Sequence, residues 1–446
     1  MKADVRLLRL PTPRTAVFAL LALAGGARAF AQPGLSDPAF AGIPLDRWLS
    51  GADQARMRWS VTVSHPRLSA LQRLQSDVEI RLDGAELARR RGEGQLLILL
   101  QISDQQGRVY QNHMAIELAK VEEGAAKQDV LSTFSAFLTP GDYRVAAALY
   151  DTTTREHCVK QEKLEVAPLR NDPLPDAWRD LPAVEFLPPA DQPDCWYLPT
   201  IAGRLHLPLK PPNPVEIELV MNLTPSEAPS HVSETQSRNL SVLIPAFKVI
   251  SELDGSGTRL GAELLDLSRQ RVTFRQDDVR VLDWAALKRS LAAGGAGTID
   301  LQSLERRRES ANFFVGEIGR LVGTPQDRPL GSAPKPRRVL LILSSPVEFE
   351  HGVDLEKIAL ALPPDYRVYY IRYHSFRPSP LPGPSPGRGP RYGPRRDEPL
   401  ERPRVYVQLD QLESTLKPLA PRLFDVDTPE QFRKALATVL AEISTQ

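Results

Sequence analysis

The stretch "VEIELVMNLTPSE", Val215 to Glu227, decides how the second half of this 446-residue chain is read. Val215, Ile217 and Leu219 alternate with Glu216 and Glu218, and the run then turns continuously apolar through Met221. Alternation that passes into an unbroken apolar run marks a strand covered on both faces. It breaks off into Asn222, Thr224 and Ser226, three oxygen-bearing side chains spaced two apart. That pattern is either an ion-binding corner at a strand end or a polar turn, and the rest of the chain has to decide between them.

Downstream, strand and helix patterns alternate. "RNLSVLIPAFKVISELD" places Leu240, Leu243, Phe247 and Ile250 at helical spacing, while "RLGAELLDLS" and "QRVTFRQD" read as two strands across a turn at Arg269 and Gln270. "DWAALKRSLAAGG" is a helix ended by glycines, and "DLQSLERRRESANFFVGEIGRLVG" is a longer one. "RRVLLILSS" is an unbroken apolar strand, "DLEKIALALP" a helix, and "YRVYYIRYH" and "RLFDVD" are further strands. "TPEQFRKALATVLAEI" closes the chain as a helix capped by Thr428, with Pro429 at its first position. This order predicts an α/β doubly wound, Rossmann-type domain over 215–446. Residues 376–404, rich in Pro, Gly and Arg, bury too little apolar surface to fold alone and read as a disordered surface insertion.

The first half reads in period two. "MRWSVTVS", "DVEIRLDG", "QLLILLQISD", "RVYQNHMAIELA" and "RVAAALYD" are short β-rich segments separated by turn residues, and Pro140-Gly141 makes a tight turn. An all-β immunoglobulin-like sandwich is expected over 55–168, making the chain multidomain. His113 and His157 stand singly and read as satisfied residues. Residues 169–214 carry prolines too closely spaced for regular helices or central strands and form an extended Pro-rich linker, packed down through Trp178 and Trp196.

Charge is balanced, 56 Lys+Arg against 55 Asp+Glu, which removes the electrostatic case for a nucleic-acid partner. The N-terminus combines Lys2, Arg6, Arg9 and Arg14 with a short apolar core and a small-x-small site ending at Ala31, with Ala29 as the alternative. That layout makes 1–31 a signal peptide. The apolar run is too short to span a bilayer, and no later segment approaches transmembrane length. The mature chain is therefore expected to be exported, periplasmic or secreted. Cys158 and Cys195 are the two cysteines; in an oxidising compartment they either pair as a disulfide or stay two unpaired thiols. Neither has metal-ligand spacing around it.

The order of elements resembles the von Willebrand factor A domain. The full layout is similar to exported bacterial proteins described as von Willebrand factor A-related, through "LTPGDYRVAAALYD", "LLDLSRQRVTF", "LDWAALKRSL" and "RRRESANFFVGEI". Metal-binding members carry Asp-x-Ser-x-Ser after the first strand, a later Thr, and an Asp after the central strand. The resemblance places Asn222, Thr224 and Ser226 at the first motif, Thr298 at the later Thr, and Ser344 and Ser345 where the last Asp would stand. The hydroxyls persist, but both anionic positions are neutral. Mg²⁺ gives up water reluctantly and needs carboxylates to hold it. Asp300 is near in sequence but sits where a helix N-cap belongs.

The expectation is therefore a non-enzymatic protein-interaction or adhesion module with a degenerate metal-ion-dependent adhesion site. It has no catalytic residues, no metal or cofactor, and a protein partner of unknown identity. One alternative is Mg²⁺- or Mn²⁺-dependent adhesion through Thr224, Ser226 and Thr298, with the partner supplying a carboxylate. Another is a hydrolase using the strand-end crevice with Ser344, Ser345, Glu348, Glu350 and His351, although that stretch lacks the G-x-S-x-G elbow. "DGSGTRLG", 254–261, falls between a helix and a strand, the wrong context for dinucleotide binding.

Overall fold

The computed structural model describes residues 37–51, 55–188, 201–224, 232–255, 257–293, 309–323, 336–347, 349, 366–374 and 410–445. The expected signal peptide (1–31), the insertion (376–404), Trp196, Cys195, Ser226, Thr298 and Asp300 lie outside them, as do Glu348, Glu350 and His351. Two compact units divide the chain: Met1–Val61, Ile80–Leu131 and Asp142–Glu165 form the first, and Thr62–Glu79, Ser132–Gly141 and Val166–Gln446 the second.

One sheet runs in the order β1-β3-β6-β9, comprising β1 (Trp59–Val63), β3 (Leu74–Leu82), β6 (Val130–Leu138) and β9 (Val184–Phe186), with β2 (Arg67–Leu68) antiparallel to β3. Along β3, Leu74, Val78, Ile80 and Leu82 are buried in alternation, as the period-two reading requires. A second sheet, order β5-β4-β7-β8, is built from β4 (Gln95–Asp104), β5 (Val109–Glu117), β7 (Gly141–Asp151) and β8 (His157–Val166). β4 pairs antiparallel with both β5 and β7. Helix α1 (Leu45–Leu49) sets Leu45 and Trp48 with Phe40 against Leu99 and Ala148. Trp48 also stacks on His157, ring centroids 4.1 Å apart, so that histidine is a packed residue. Asp83 caps α2 (Gly84–Arg89) through the backbone N–H of Ala85 and Glu86.

Within the second unit a six-stranded sheet runs β14-β13-β11-β15-β16-β17, made of β11 (Val215–Asn222), β13 (Thr258–Asp266), β14 (Arg271–Gln276), β15 (Arg337–Ser344), β16 (Tyr366–Tyr373) and β17 (Arg422–Val426). The pairs β11–β13, β11–β15, β15–β16 and β16–β17 are parallel, and β13–β14 is antiparallel. β10 (Leu207–Pro208) and β12 (Leu253–Asp254) form a two-stranded parallel sheet. The helices are α3 (Val232–Ser251), α4 (Trp284–Ala293), α5 (Ser310–Gly323), α6 (Gln411–Leu416) and α7 (Pro429–Thr445).

This corrects the expected fold class. Among the described residues strand (39%) outweighs helix (28%) across four sheets, so the described part is mainly β and its C-terminal part is not an α/β doubly wound, Rossmann-type domain. A doubly wound sheet needs a helix on each crossover. Here β13 passes to β14 by a hairpin, with Gln270 in the left-handed region at φ 51°. Between β16 and β17 the described residues contain only six-residue α6 and one 3-10 turn. The apolar runs were correctly read as strands. Helices α3, α4, α5 and α7 overlap the stretches read as helical and "DLEKIALALP" lies outside the described residues, so the departure lies in the β13–β14 hairpin and the short β16–β17 connection.

Phe314, Ile318 and Leu321 of α5 pack on Val220, Leu340, Ile342, Val368 and Tyr370 of the mixed sheet. Each side chain buried in this way contributes about 1.5–3 kcal/mol. Arg338 donates to the carbonyls of Leu321 (2.6 Å) and Val322 (2.8 Å), which satisfies the end of α5. Gly261 stands opposite Glu218 in register, and a Cβ there would lie 2.1 Å from a Glu218 carboxylate oxygen. The missing side chain is what admits that carboxyl into the sheet. Burial, only partly offset by Arg338, pushes Glu218 up to about 7.

The C-terminal helix is fastened by polar groups. Thr428 and Gln431 cap it reciprocally, Thr428 Oγ1 accepting from Gln431 N–H and Gln431 Oε1 from Thr428 N–H. Gln72, fully buried at φ 59°, donates to the carbonyl of Pro429 (3.0 Å) while its own carbonyl accepts from Trp178 Nε1 (2.7 Å). The guanidinium of Arg433 lies 4.6 Å over the Trp178 ring.

Candidate functional site

The parallel pairing of β11 with β13 and β15 brings their carboxyl ends together, and with them Asn222, Thr224, Ser344 and Ser345. Asn222 and Ser344 are fully buried, and Ser345 is 1% exposed. Asn222 Nδ2 donates to Ser344 Oγ at 2.9 Å, and Asn222 Oδ1 accepts from Thr224 N–H at 2.9 Å. Thr224 Oγ1 accepts from Ser268 N–H at 3.1 Å. Ser344 Oγ donates to the Ser345 carbonyl at 2.6 Å while it accepts from Asn222. Ser345 Oγ is enclosed and has no hydrogen-bond partner among the described residues. The two serines therefore differ: one is the hub of a network and the other is an unsatisfied hydroxyl.

Two carboxylates border this corner, and both are engaged. Asp410 Oδ1 accepts from Val347 N–H and Leu412 N–H, each at 3.2 Å. Its Oδ2 accepts from the Tyr370 hydroxyl at 2.9 Å and from Arg372 at 3.2 Å. A carboxylate offers about four lone-pair sites, and Asp410 has all of them filled, with its charge met by Arg372. Asp266 accepts from Ser268 Oγ (2.6 Å) and Arg269 N–H (3.2 Å), and it faces Arg269 and Arg271 as ion partners at 3.3 and 3.6 Å. Burial, together with the adjacent Asp410 charge, pushes the Tyr370 hydroxyl well above its ordinary range, so it stays a neutral donor.

A divalent cation needs anionic oxygens free to bind it. At this corner the neutral oxygens are turned toward one another and the anionic ones toward guanidinium groups. Among the described residues no group of three or more His, Cys, Asp or Glu is placed to hold a metal. The sequence reading found the serines and Asn222 but missed Asp410. Its signal was present: Asp410 and Glu413 have the D-x-x-E spacing of a helix start, and Asp410 caps α6.

Cys158 is a free, buried thiol, and Cys195, its candidate disulfide partner, lies outside the described residues. Burial pushes Cys158 up to about 12, the behaviour of an inert core cysteine. No helix among the described residues is long and apolar enough to cross a membrane.

No known family profile matches the chain, and no curated protein matches it. Among solved structures, a structural-genomics target is 15% identical, covering 26% of this chain and 95% of its own, with a TM-score of 0.18. A Bordetella pertussis protein assigned provisionally as ApaA is 15% identical over 26% of this chain and 99% of its own, TM-score 0.17. A family 123 glycoside hydrolase from Clostridium perfringens is 6% identical over 71% of this chain and 72% of its own, TM-score 0.20.

Proposed function

We propose that the mature chain is an exported, non-enzymatic protein-interaction module whose strand-end corner is a neutral relic of a metal-ion-dependent adhesion site. The observation that carries this reading is the closed polar circuit at the corner. Asn222 is spent on Ser344 and Thr224, and Asp410 is spent on Tyr370, Arg372 and two backbone donors. Recruiting these groups to an ion would require breaking a buried network, and each polar group left unpaired costs about 1–3 kcal/mol. The buried Ser344 hydroxyl accepts from Asn222 and donates to the Ser345 carbonyl, and among the described residues it has no histidine partner to activate it, which argues against a serine nucleophile. The reading assigns recognition to protein surface and export to residues 1–31.

The test is titration calorimetry of the mature chain with Mg²⁺ and with Mn²⁺ at millimolar concentration, alongside affinity capture from cell envelopes. Absence of ion heat together with capture of a discrete partner supports the reading. Tight ion binding by the wild-type chain overturns it.

A further inference from the structure

A cavity of about 760 Å³ opens at the amino-terminal end of β13, whereas Asn222 pairs with Leu265 near the opposite end of that strand. Its floor is apolar, with Leu207 1% and Leu260 4% exposed. Its rim carries Arg204, His206, Asp254, Arg259, Asp278 and Arg280. The walls are tied by backbone: Leu209 N–H donates to Asp254 (2.6 Å), Thr258 N–H to Gly255 (3.1 Å) and Val279 N–H to Leu260 (2.8 Å). Glu252 also belongs to the wall, since one oxygen accepts from Leu205 N–H and the other pairs with Lys248.

The charges on the rim are not all used. His206 faces Asp180 at 3.6 Å, and Arg259 donates to the Asp277 carbonyl at 3.3 Å. The side chains of Arg204, Arg280, Asp254 and Asp278 are exposed and make no hydrogen bond or ion pair among the described residues; Asp254 and Asp278 accept only through their backbone carbonyls, from Leu209 and Gln276. Two free cations and two free anions thus ring one apolar floor without pairing to each other. Balanced charge gives no net field to attract a simple anion or cation. A ligand that carries both signs meets both sets: a carboxylate suits the planar fork of an arginine, and a cation suits Asp254 or Asp278. Asp254, Gly255 and Gly257 to Arg259 of the "DGSGTRLG" stretch, unsuited to a nucleotide, supply part of the rim, with Gly257 at φ 79°.

We propose that this cavity receives a short polypeptide segment bearing a carboxylate and a cationic side chain, and that it is the contact surface of the interaction function. The proposal rests on the protein-interaction reading above. It predicts modest, salt-sensitive affinity, because exposed ion pairs are individually weak and screened.

The test is calorimetry of the full mature chain with three capped pentapeptides: Gly-Lys-Gly-Glu-Gly, and the same peptide with glutamine in place of lysine or of glutamate. The expected result is at least tenfold tighter binding of the mixed-charge peptide, lost in R204A/R280A and in D254N/D278N. These side chains have no partners to strand, so both variants should fold, and circular dichroism checks that they do. Equal binding of all three peptides, no binding at millimolar concentration, or unaltered binding by both variants overturns the proposal. If wild type and both variants capture the same envelope protein, the cavity proposal fails and the interaction reading stands. If wild type captures none, the interaction reading fails.

Discussion

Arg433 and Asp172, 261 positions apart, form a two-point ion pair with Nε–Oδ1 at 2.6 Å and a second guanidinium nitrogen on Oδ2 at 2.8 Å. The arginine side chain is 2% exposed and the aspartate 10%. Breaking one side of such a pair strands the other in low dielectric, which costs about 3–5 kcal/mol. Asp172→Asn is expected to destabilise the chain by that order in urea unfolding. Asp172→Asn combined with Arg433→Met should recover a substantial part. If the double variant is no more stable than the single, the stranded-charge account is wrong.

Glu218 makes stability depend on pH. Its folded value, about 7, lies above the ordinary 4.5, first because of burial and then because Glu263 adds to the effect while Arg338 opposes it. Between those values the native state holds a proton the unfolded chain has lost, so this group's contribution is complete below about pH 4.5 and is lost as pH rises through 7. Glu218→Gln should leave the unfolding midpoint nearly unchanged in acid and raise stability at pH 8 by about 3 kcal/mol. A constant difference across pH would contradict this.

The two buried polar residues at the corner should respond in opposite senses. Asn222→Ala strips Ser344 Oγ and Thr224 N–H of a partner and is expected to cost about 1–3 kcal/mol. Ser345→Ala removes a hydroxyl with no partner and should be neutral or stabilising by up to about 1 kcal/mol. Denaturant midpoints for the two variants decide the matter.

Cys158 should resist alkylation in the native state at pH 8 and react on unfolding, as followed by peptide mass spectrometry. Rapid native labelling of Cys158 would place the thiol at the surface.

Strand identity was legible because its signal is local. "VEIELVMNL", "RRVLLILSS" and "YRVYYIRYH" fall on β11, β15 and β16, and Thr428-Pro429 marks the start of α7. The fold class was misjudged where connections, which leave weaker marks than apolar runs, had to be inferred. The roles of Asp410 and Arg433 depend on partners tens to hundreds of residues away. Tyr370 and Arg372 reach Asp410 only once β16 is in the sheet, and nothing near "EQFRKAL" announces Asp172. The corner was legible as residue types. Its neutrality was read from the missing carboxylates, whereas its closure became visible only through hydrogen bonds.

Gln72 holds the carbonyl of Pro429 across 357 positions of chain. A ribosome has therefore added 357 further residues before the turn around Gln72 meets this neighbour. Until α7 emerges, that early segment waits with an unpaired side-chain amide donor and a left-handed backbone at Gln72, open to holdase chaperones and to proteases. Removal of the last eighteen residues or so should thus be felt first near residue 72, far from the cut.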